Sequence, residues 1–294
     1  MAPTVGTLHV CAVLALATVC GCAVPGPFRV LSFNIRYAAA DDGPNAWELR
    51  RDLAVATIRC HDADILGLQE VLASQAADLR AALPEYGFIG VGRDDGAAQG
   101  EFVPVFYRQK RFELVDYGHF WLSEHPDQPG SVGWDAALPR IATWVRLRFK
   151  DAPLTEITVV NVHFDHSGQR ARRESARMIR RLVESLGGQP LVVLGDFNCP
   201  PGSEPYWILT EERTHPTALF DAWAALGQPE ADAGTYHAFT GMPREGRIDW
   251  ILASRRCAVD EVAIDRSQRD GRYPSDHFPV VATLRLPPAW QAHW

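Results

Sequence analysis

The run Leu191-Val192-Val193-Leu194-Gly195-Asp196-Phe197-Asn198-Cys199-Pro200-Pro201 constrains the fold more than any other stretch of the chain. Four apolar, β-favouring residues lead into a glycine, and an acid and an amide follow two positions apart. The pattern reads as a buried strand that stops at Gly195 and presents Asp196 and Asn198 at its mouth. Strand residues i and i+2 share a face, so the two polar side chains point the same way. Pro200 and Pro201 lack the N–H that further ladder pairing would need. A strand closing in an Asx turn would account for the same residues. The other segments of the chain decide between the two.

Similar strands recur. Phe28 to Tyr37 is apolar apart from a few polar positions, with Asn34 near its end, and Asp64 to Val71 ends on Glu70. A glutamate closing a buried run needs a partner, because burying an unpaired charge is expensive. Ile157 to His166 ends in His163, Asp165 and His166; Arg247 to Leu252 carries Asp249; Ser275-Asp276-His277 precedes a last strand. Between these, Trp47 to His61 fits a helix with Leu49, Leu53, Ala56 and Ile58 on its inner side. Ser74 is the expected cap of a short helix reaching Leu83. Gln169 to Leu186 is a helix with Met178, Ile179, Leu182, Val183 and Leu186 as its apolar stripe. Its six arginines read as a solvated outer face. Phe102 to Tyr107, Phe112 to Leu122 and Ile141 to Phe149 are spaced as hairpins of an antiparallel sheet. Pieces of helix are expected between Pro205 and Leu226, and Val259 to Ile264 reads as a strand.

At 294 residues and 47% hydrophobic content the chain can bury a large core. A net charge of −7 supplies no global field for nucleic acid or an anionic membrane. A bound divalent cation would still admit an anionic substrate. Val10 to Val24 is an apolar run too short to span a bilayer and fits a signal-peptide core. Val19-Cys20-Gly21-Cys22 resembles a bacterial lipoprotein processing site, although no Lys or Arg precedes Arg29. The reading is a leader over residues 1–24, one domain over 25–294, export, and membrane contact through a lipid on Cys22. Beyond the leader, Cys60, Cys199 and Cys257 are odd in number and widely spaced, which argues against a disulfide framework or a zinc motif, while export would permit one bridge between an unspecified pair.

Carboxylates converging from several strand ends would repel one another without a cation. Oxygen ligands without thiolates suit Mg²⁺ or Mn²⁺. Imidazoles beside carboxylates suit acid–base chemistry, and metal-assisted phosphoester hydrolysis needs this set of parts. The segments LSFNIRY, LGLQEV, VNVHFDH, LGDFNCPP, RIDWIL and SDHFPV, in that order from about Arg29 to Leu286, resemble the endonuclease/exonuclease/phosphatase superfamily.

That resemblance implies an α/β fold, a four-layer αββα sandwich of two mixed sheets packed face to face with outer helices and a site at one sheet edge. It implies Glu70 as principal metal ligand, with Asn34 beside it and Asp276 contributing. Asp196 and Asn198 would orient or deprotonate a water, and Asp249 would hold His277 as imidazolium. His163 would stabilise phosphoryl oxygens, and Arg140 would contact substrate together with Asn34, Asn198 and His163. Glu101 fits the family less specifically. Arg36 replaces the acid of abasic-site endonucleases, and RIDWIL departs from the inositol 5-phosphatase signature. A monomeric nuclease or related phosphodiesterase is the first expectation. A lipid phosphodiesterase acting on a phospholipid head group, or a phosphomonoesterase, is the alternative. An inactive binding lipoprotein should have lost polar residues at these positions, and none is lost.

Overall fold

The computed structural model describes residues 23–210, 217–244 and 246–287. Residues 1–22 of the expected leader, with Cys11, Cys20 and Cys22, lie outside the described residues, as does residue stretch 211–216 of the expected helical segment. In chain order the elements are β1 (Phe28–Asn34), α1 (Trp47–His61), β2 (Ile65–Gln69), α2 (Ala73–Ala82), β3 (Tyr86–Ile89), β4 (Val105–Arg108), β5 (Phe112–Trp121), β6 (Ile141–Phe149) and β7 (Glu156–His163). They continue with α3 (Gln169–Ser185), β8 (Leu191–Asp196), α4 (Glu204–Thr210), β9 (Leu219–Asp221), α5 (Ala222–Ala225), β10 (Asp249–Ser254), β11 (Ala258–Ile264) and β12 (Val280–Arg285).

Two six-stranded sheets result, ordered β11-β12-β1-β2-β4-β3 and β5-β6-β7-β8-β10-β9. Each is mixed: the parallel pairs β1–β2 and β7–β8 sit among antiparallel neighbours. A parallel pair needs a crossover, and α1 and α3 supply the two. The alternation of side chains then sorts the core into three slabs. Phe28, Val30, Ile65, Val159, Val192, Leu194 and Ile251 meet between the sheets. Leu31, Phe33, Leu66 and Leu68 face away, against Trp47, Ile58 and Leu79 of α1 and α2. Val160, Val193, Trp250 and Leu252 face Ile179 and Val183 of α3 on the far side. Helix, sheet, sheet and helix therefore stack as four layers.

The sheets approach closely at Gly67, where an added Cβ would lie 1.9 Å from Leu194 Cδ1 and about 3.0 Å from the Asn161 side chain. Beside it runs a buried amide network between the sheets. Gln69 Nε2 donates to Asn161 Oδ1 at 2.7 Å, and Asn161 Nδ2 donates to the carbonyls of Leu68 and Pro104 at 2.8 and 2.9 Å. Buried amides persist where they are bonded, and this pair fixes the register of one sheet over the other.

Several local expectations are corrected. The inner face of α1 is Trp47, Arg50, Ala54, Thr57 and Ile58, while Leu49 is 57% exposed. Arg50 takes the inner position because its guanidinium reaches four backbone carbonyls there. The α2 cap is Leu72, not Ser74: the Gln75 side chain accepts the Leu72 N–H at 3.0 Å. β4 joins β2 and β3 in one sheet, while β5 and β6 form a hairpin in the other. The three middle strands therefore do not share one antiparallel sheet. β8 runs through Gly195 to Asp196 rather than stopping short. Gly195 has φ +147°, and a Cβ there would lie 2.0 Å from the Val162 carbonyl oxygen, so only glycine fits. Cys60, Cys199 and Cys257 are all free, the last two buried.

Candidate active site

The inner faces of five strands are apolar toward one pole of the sandwich and polar toward the other. On β1 the row Phe28, Val30, Ser32, Asn34 ends in the amide; on β8, Val192 and Leu194 are followed by Asp196. On β7, Ile157 and Val159 give way to Asn161 and His163, and β10 opens on Asp249 before Ile251 and Ala253. β2 delivers Gln69 on its inner face and Glu70 just past its end. Strand periodicity thus carries at least one polar group from each of these strands to the same edge.

There a cleft of about 580 Å³ is lined by Glu70, Glu101, Arg140, His163, Asp196, Asn198, Asp276 and His277, with Arg36, Tyr37, His166 and Tyr236 among its walls. Asn34 and Asp249 stand one hydrogen bond behind it, both buried. Asn34 Nδ2 donates to Glu70 Oε1 at 3.0 Å and to Asp196 Oδ2 at 3.1 Å, joining the two sheets. Its Oδ1 accepts the Arg36 N–H at 3.0 Å, and the second Glu70 oxygen accepts from Tyr37 N at 3.1 Å. The Asp196–Asn198 pair is an Asx turn as well as part of the cleft. Asn198 N donates to Asp196 Oδ1 at 2.9 Å, and Asn198 Nδ2 donates to the Phe164 carbonyl. Arg36, Glu70 and Asn198 all hold positive φ, at 57°, 60° and 49°. Such backbone is uncommon for side chains of this size and gathers at working sites.

Two imidazoles flank Asp196. His277 Nδ1 lies 2.9 Å from Asp249 Oδ2, and its Nε2 lies 3.9 Å from Asp196 Oδ2. His163 Nε2 lies 3.5 Å from the same oxygen, and its Nδ1 lies 3.7 Å from Glu101 Oε2. Their environments drive them apart. Burial alone would lower His277, but the hydrogen-bonded Asp249 carboxylate, with Asp196 and Asp276, lifts it well above the usual histidine range. His163 is pushed well below that range by burial and by the nearby Arg140 and Arg93 guanidiniums. At neutral pH one ring is an imidazolium and the other a neutral base. Asp196 is pushed up to about 7 by burial and by the charge of Asp249. Burial likewise raises Glu101 and Asp276. Titratable groups separated this way mark acid and base assignments.

Among the described residues, Asp196, Asp249 and His277 bring ligand atoms within 4.8 Å of one another, close enough to hold a metal ion. Asp249 Oδ1 is buried without a hydrogen-bond partner. An unpaired carboxylate oxygen in a buried oxygen-rich set fits a hard divalent cation nearby.

All nine residues expected from the sequence meet at this edge. Arg140 donates through Nε to Asp165 at 3.2 Å and its Nη2 lies 2.9 Å from His166 Nδ1, while Nη1 has no hydrogen-bond partner among the described residues. Asp165 itself serves the backbone. Burial would raise it, but N–H groups of Gly168 and Ala137 hold it down to about 2. Sequence reasoning passed over Arg93, which donates to Glu101 at 2.7 Å, and Thr235, whose hydroxyl accepts the Ile248 and Asp249 N–H groups. Neither stands in a motif. The signal for Glu101 was only that a carboxylate precedes an apolar strand.

The sequence matches the model of the Endonuclease/Exonuclease/phosphatase family over residues 31–277. The chain belongs to this family. A family member from Bacteroides vulgatus is 40% identical with a TM-score of 0.81, covering 90% of this chain and all of that one. A mannosyl-6-phosphatase from Bacteroides thetaiotaomicron is 36% identical with a TM-score of 0.79, covering 87% of this chain and 99% of that one. Human nocturnin is 24% identical over 87% of this chain. The chain spans only 64% of the length of nocturnin. A family phosphohydrolase accounts for the cleft, its paired carboxylates and its two unlike imidazoles.

Proposed function

We propose that the cleft hydrolyses a small phosphomonoester of a polyhydroxylated alcohol, with Mg²⁺ or Mn²⁺ bound. The observation that carries the hydrolase reading is the Asn34 amide, which holds Glu70 of one sheet and Asp196 of the other in one arrangement. Of the two donor sets, Glu70 and Asp276 with Asn34 beside them would hold the cation, because in the Asp196–Asp249–His277 cluster His277 Nδ1 and Asp249 Oδ2 already engage each other. Such an ion supplies positive charge that draws electron density from the phosphoryl group.

The remaining work falls to side chains. Asp196, with Asn198, orients the attacking water and accepts its proton. His277, held as imidazolium by Asp249, donates a proton to the departing alcohol oxygen. His163 and Arg140, both lining the cleft, contact the phosphoryl oxygens. Water and ester thus become alcohol and phosphate with protons balanced.

The substrate class is supported by the 36% identity to a mannosyl-6-phosphatase over nearly both full chains and by a compact cleft rather than a basic track. This reverses the order expected from sequence, where a nuclease stood first. Tyr37 and Tyr236 offer aromatic faces that fit a sugar ring or a base, so a nucleic-acid strand is the second reading. A panel of mannose 6-phosphate, other sugar phosphates, single- and double-stranded DNA, RNA and sphingomyelin vesicles separates them. Release of phosphate from the sugar esters is expected, with little nucleotide release; nucleotide release alone would reverse the order. We also infer export with a lipid on Cys22, from the apolar run before it. Labelling with a palmitate analogue should tag the wild type and not Cys22→Ala, and an unlabelled cytosolic wild type would contradict this.

A further inference from the structure

Arg50 lies on the inner face of α1, 2% exposed, and among the described residues its guanidinium hydrogen-bonds no carboxylate. Its guanidinium donates instead to four backbone carbonyls: Nε to Asn45 at 2.8 Å, Nη1 to Ile35 at 2.6 Å and to Pro274 at 3.0 Å, and Nη2 to Arg36 at 2.8 Å. Three of these belong to the two stretches that carry cleft residues. Ile35 and Arg36 follow Asn34 directly. Pro274 stands two residues before Asp276 and three before His277. The Ser275 hydroxyl adds a bond across the same seam, donating to the Asn34 carbonyl at 2.7 Å. The guanidinium also lies 5.5 Å from the centre of the Phe239 ring, in the loop whose His237 and Ala238 N–H groups bond the Asp276 carbonyl.

Gln75, fully buried on α2, continues the brace. Its Nε2 donates to the Arg36 carbonyl at 2.9 Å, beside Arg50 Nη2. Its Oε1 accepts the N–H groups of Ala38 and Leu72 at 3.0 Å. Leu72 is two residues past Glu70, so the two side chains together bind the exits of β1 and β2 to the entry of β12.

We propose that Arg50 is a positioning residue. Its planar fork, with Gln75, sets Glu70, Asn34 and the Asp276–His277 pair at the spacing the cleft needs. A planar five-donor group reaches several carbonyls at once, which an ammonium cannot reproduce. A shift of about 1 Å in such groups can cost roughly 10²-fold in rate. The inference rests on the hydrolase reading for its rate measurement but not for its binding measurement.

The test compares wild type, Arg50→Lys and Gln75→Met for kcat, KM and Mn²⁺ affinity by electron paramagnetic resonance of the free ion. Arg108→Lys serves as control. Arg108 is a buried arginine at the opposite pole, bonded to Asp62 and Tyr86. With each protein held well below its Tm, Arg50→Lys should lower kcat about tenfold or more. It should also weaken Mn²⁺ binding severalfold and leave KM within about threefold. Gln75→Met should move both quantities the same way and reports on the brace should Arg50→Lys fail to fold. Arg108→Lys should lower Tm and change neither. Arg50→Lys and Gln75→Met with unchanged kcat and Mn²⁺ affinity, whatever their Tm, would overturn the proposal. A wild type that turns over no phosphoester would defeat the hydrolase reading alone, and Mn²⁺ affinity would still decide the role of Arg50.

Discussion

Asp249→Asn and His277→Ala should each lower kcat by roughly 10² or more, the lower end of what positioned proton transfer contributes. The double variant should be little worse than the more damaged single one. The reason is the 2.9 Å contact between His277 Nδ1 and Asp249 Oδ2 in a buried setting. In the proposed mechanism Asp249 keeps the ring protonated and aimed, so either loss disables the same proton donor, and effects of groups acting as a unit do not add. Stability must be watched separately. Removing one member of a buried ion pair costs about 3–5 kcal/mol, and His277→Ala strands the Asp249 carboxylate. The cycle is therefore measured where circular dichroism shows every variant folded. Full additivity under those conditions would mean that the two residues serve different steps.

Glu70→Gln should fail in another way. The change keeps the shape of the side chain, but its new NH₂ must face either the Asn34 Nδ2 donor or the Tyr37 N–H, since both carboxylate oxygens accept bonds now. It also removes a negative charge from the proposed cation site. Loss of a group that merely orients a ligand typically costs about 10–100-fold in metal affinity, and loss of a ligand should cost no less. A Mg²⁺ titration of initial rates should show a half-saturating concentration raised by at least roughly tenfold, with part of the rate recovered at high Mg²⁺. His277→Ala should show no such recovery. An unchanged Mg²⁺ requirement in Glu70→Gln would remove Glu70 from the cation site.

Much of this architecture was legible because strand periodicity does two jobs here. In Leu191 to Asp196 the same alternation that buries Val192 and Leu194 between the sheets delivers Asp196 to their edge. The apolar run and the acid that ends it are one signal. The same holds for Asn34, His163 and Asp249. What escaped depends on contacts distant in sequence. Leu49 had the right spacing for the inner face of α1, yet Arg50 is inside, because carbonyls from Ile35 and Pro274 converge on it. No local pattern announces acceptors 15 and 224 residues away. β3 went unread because Tyr86–Ile89 is short and contains Gly87, and it stands only by pairing with β4. Glu101 lies in a loop whose meaning comes from Arg93 and His163 beside it. Leu72 caps α2 because Gln75 supplies the oxygen, which propensity alone assigns to Ser74.

Cation-dependent hydrolysis in this cleft is what the proposed function requires. The most direct measurement strips wild type and His277→Ala with EDTA, restores Mg²⁺ in steps, and follows phosphate release from a sugar phosphate. Wild type should fall silent on stripping and regain its rate as Mg²⁺ returns, while His277→Ala stays at least about 10²-fold slower throughout. Turnover that survives stripping, or that is the same in His277→Ala, would contradict the account.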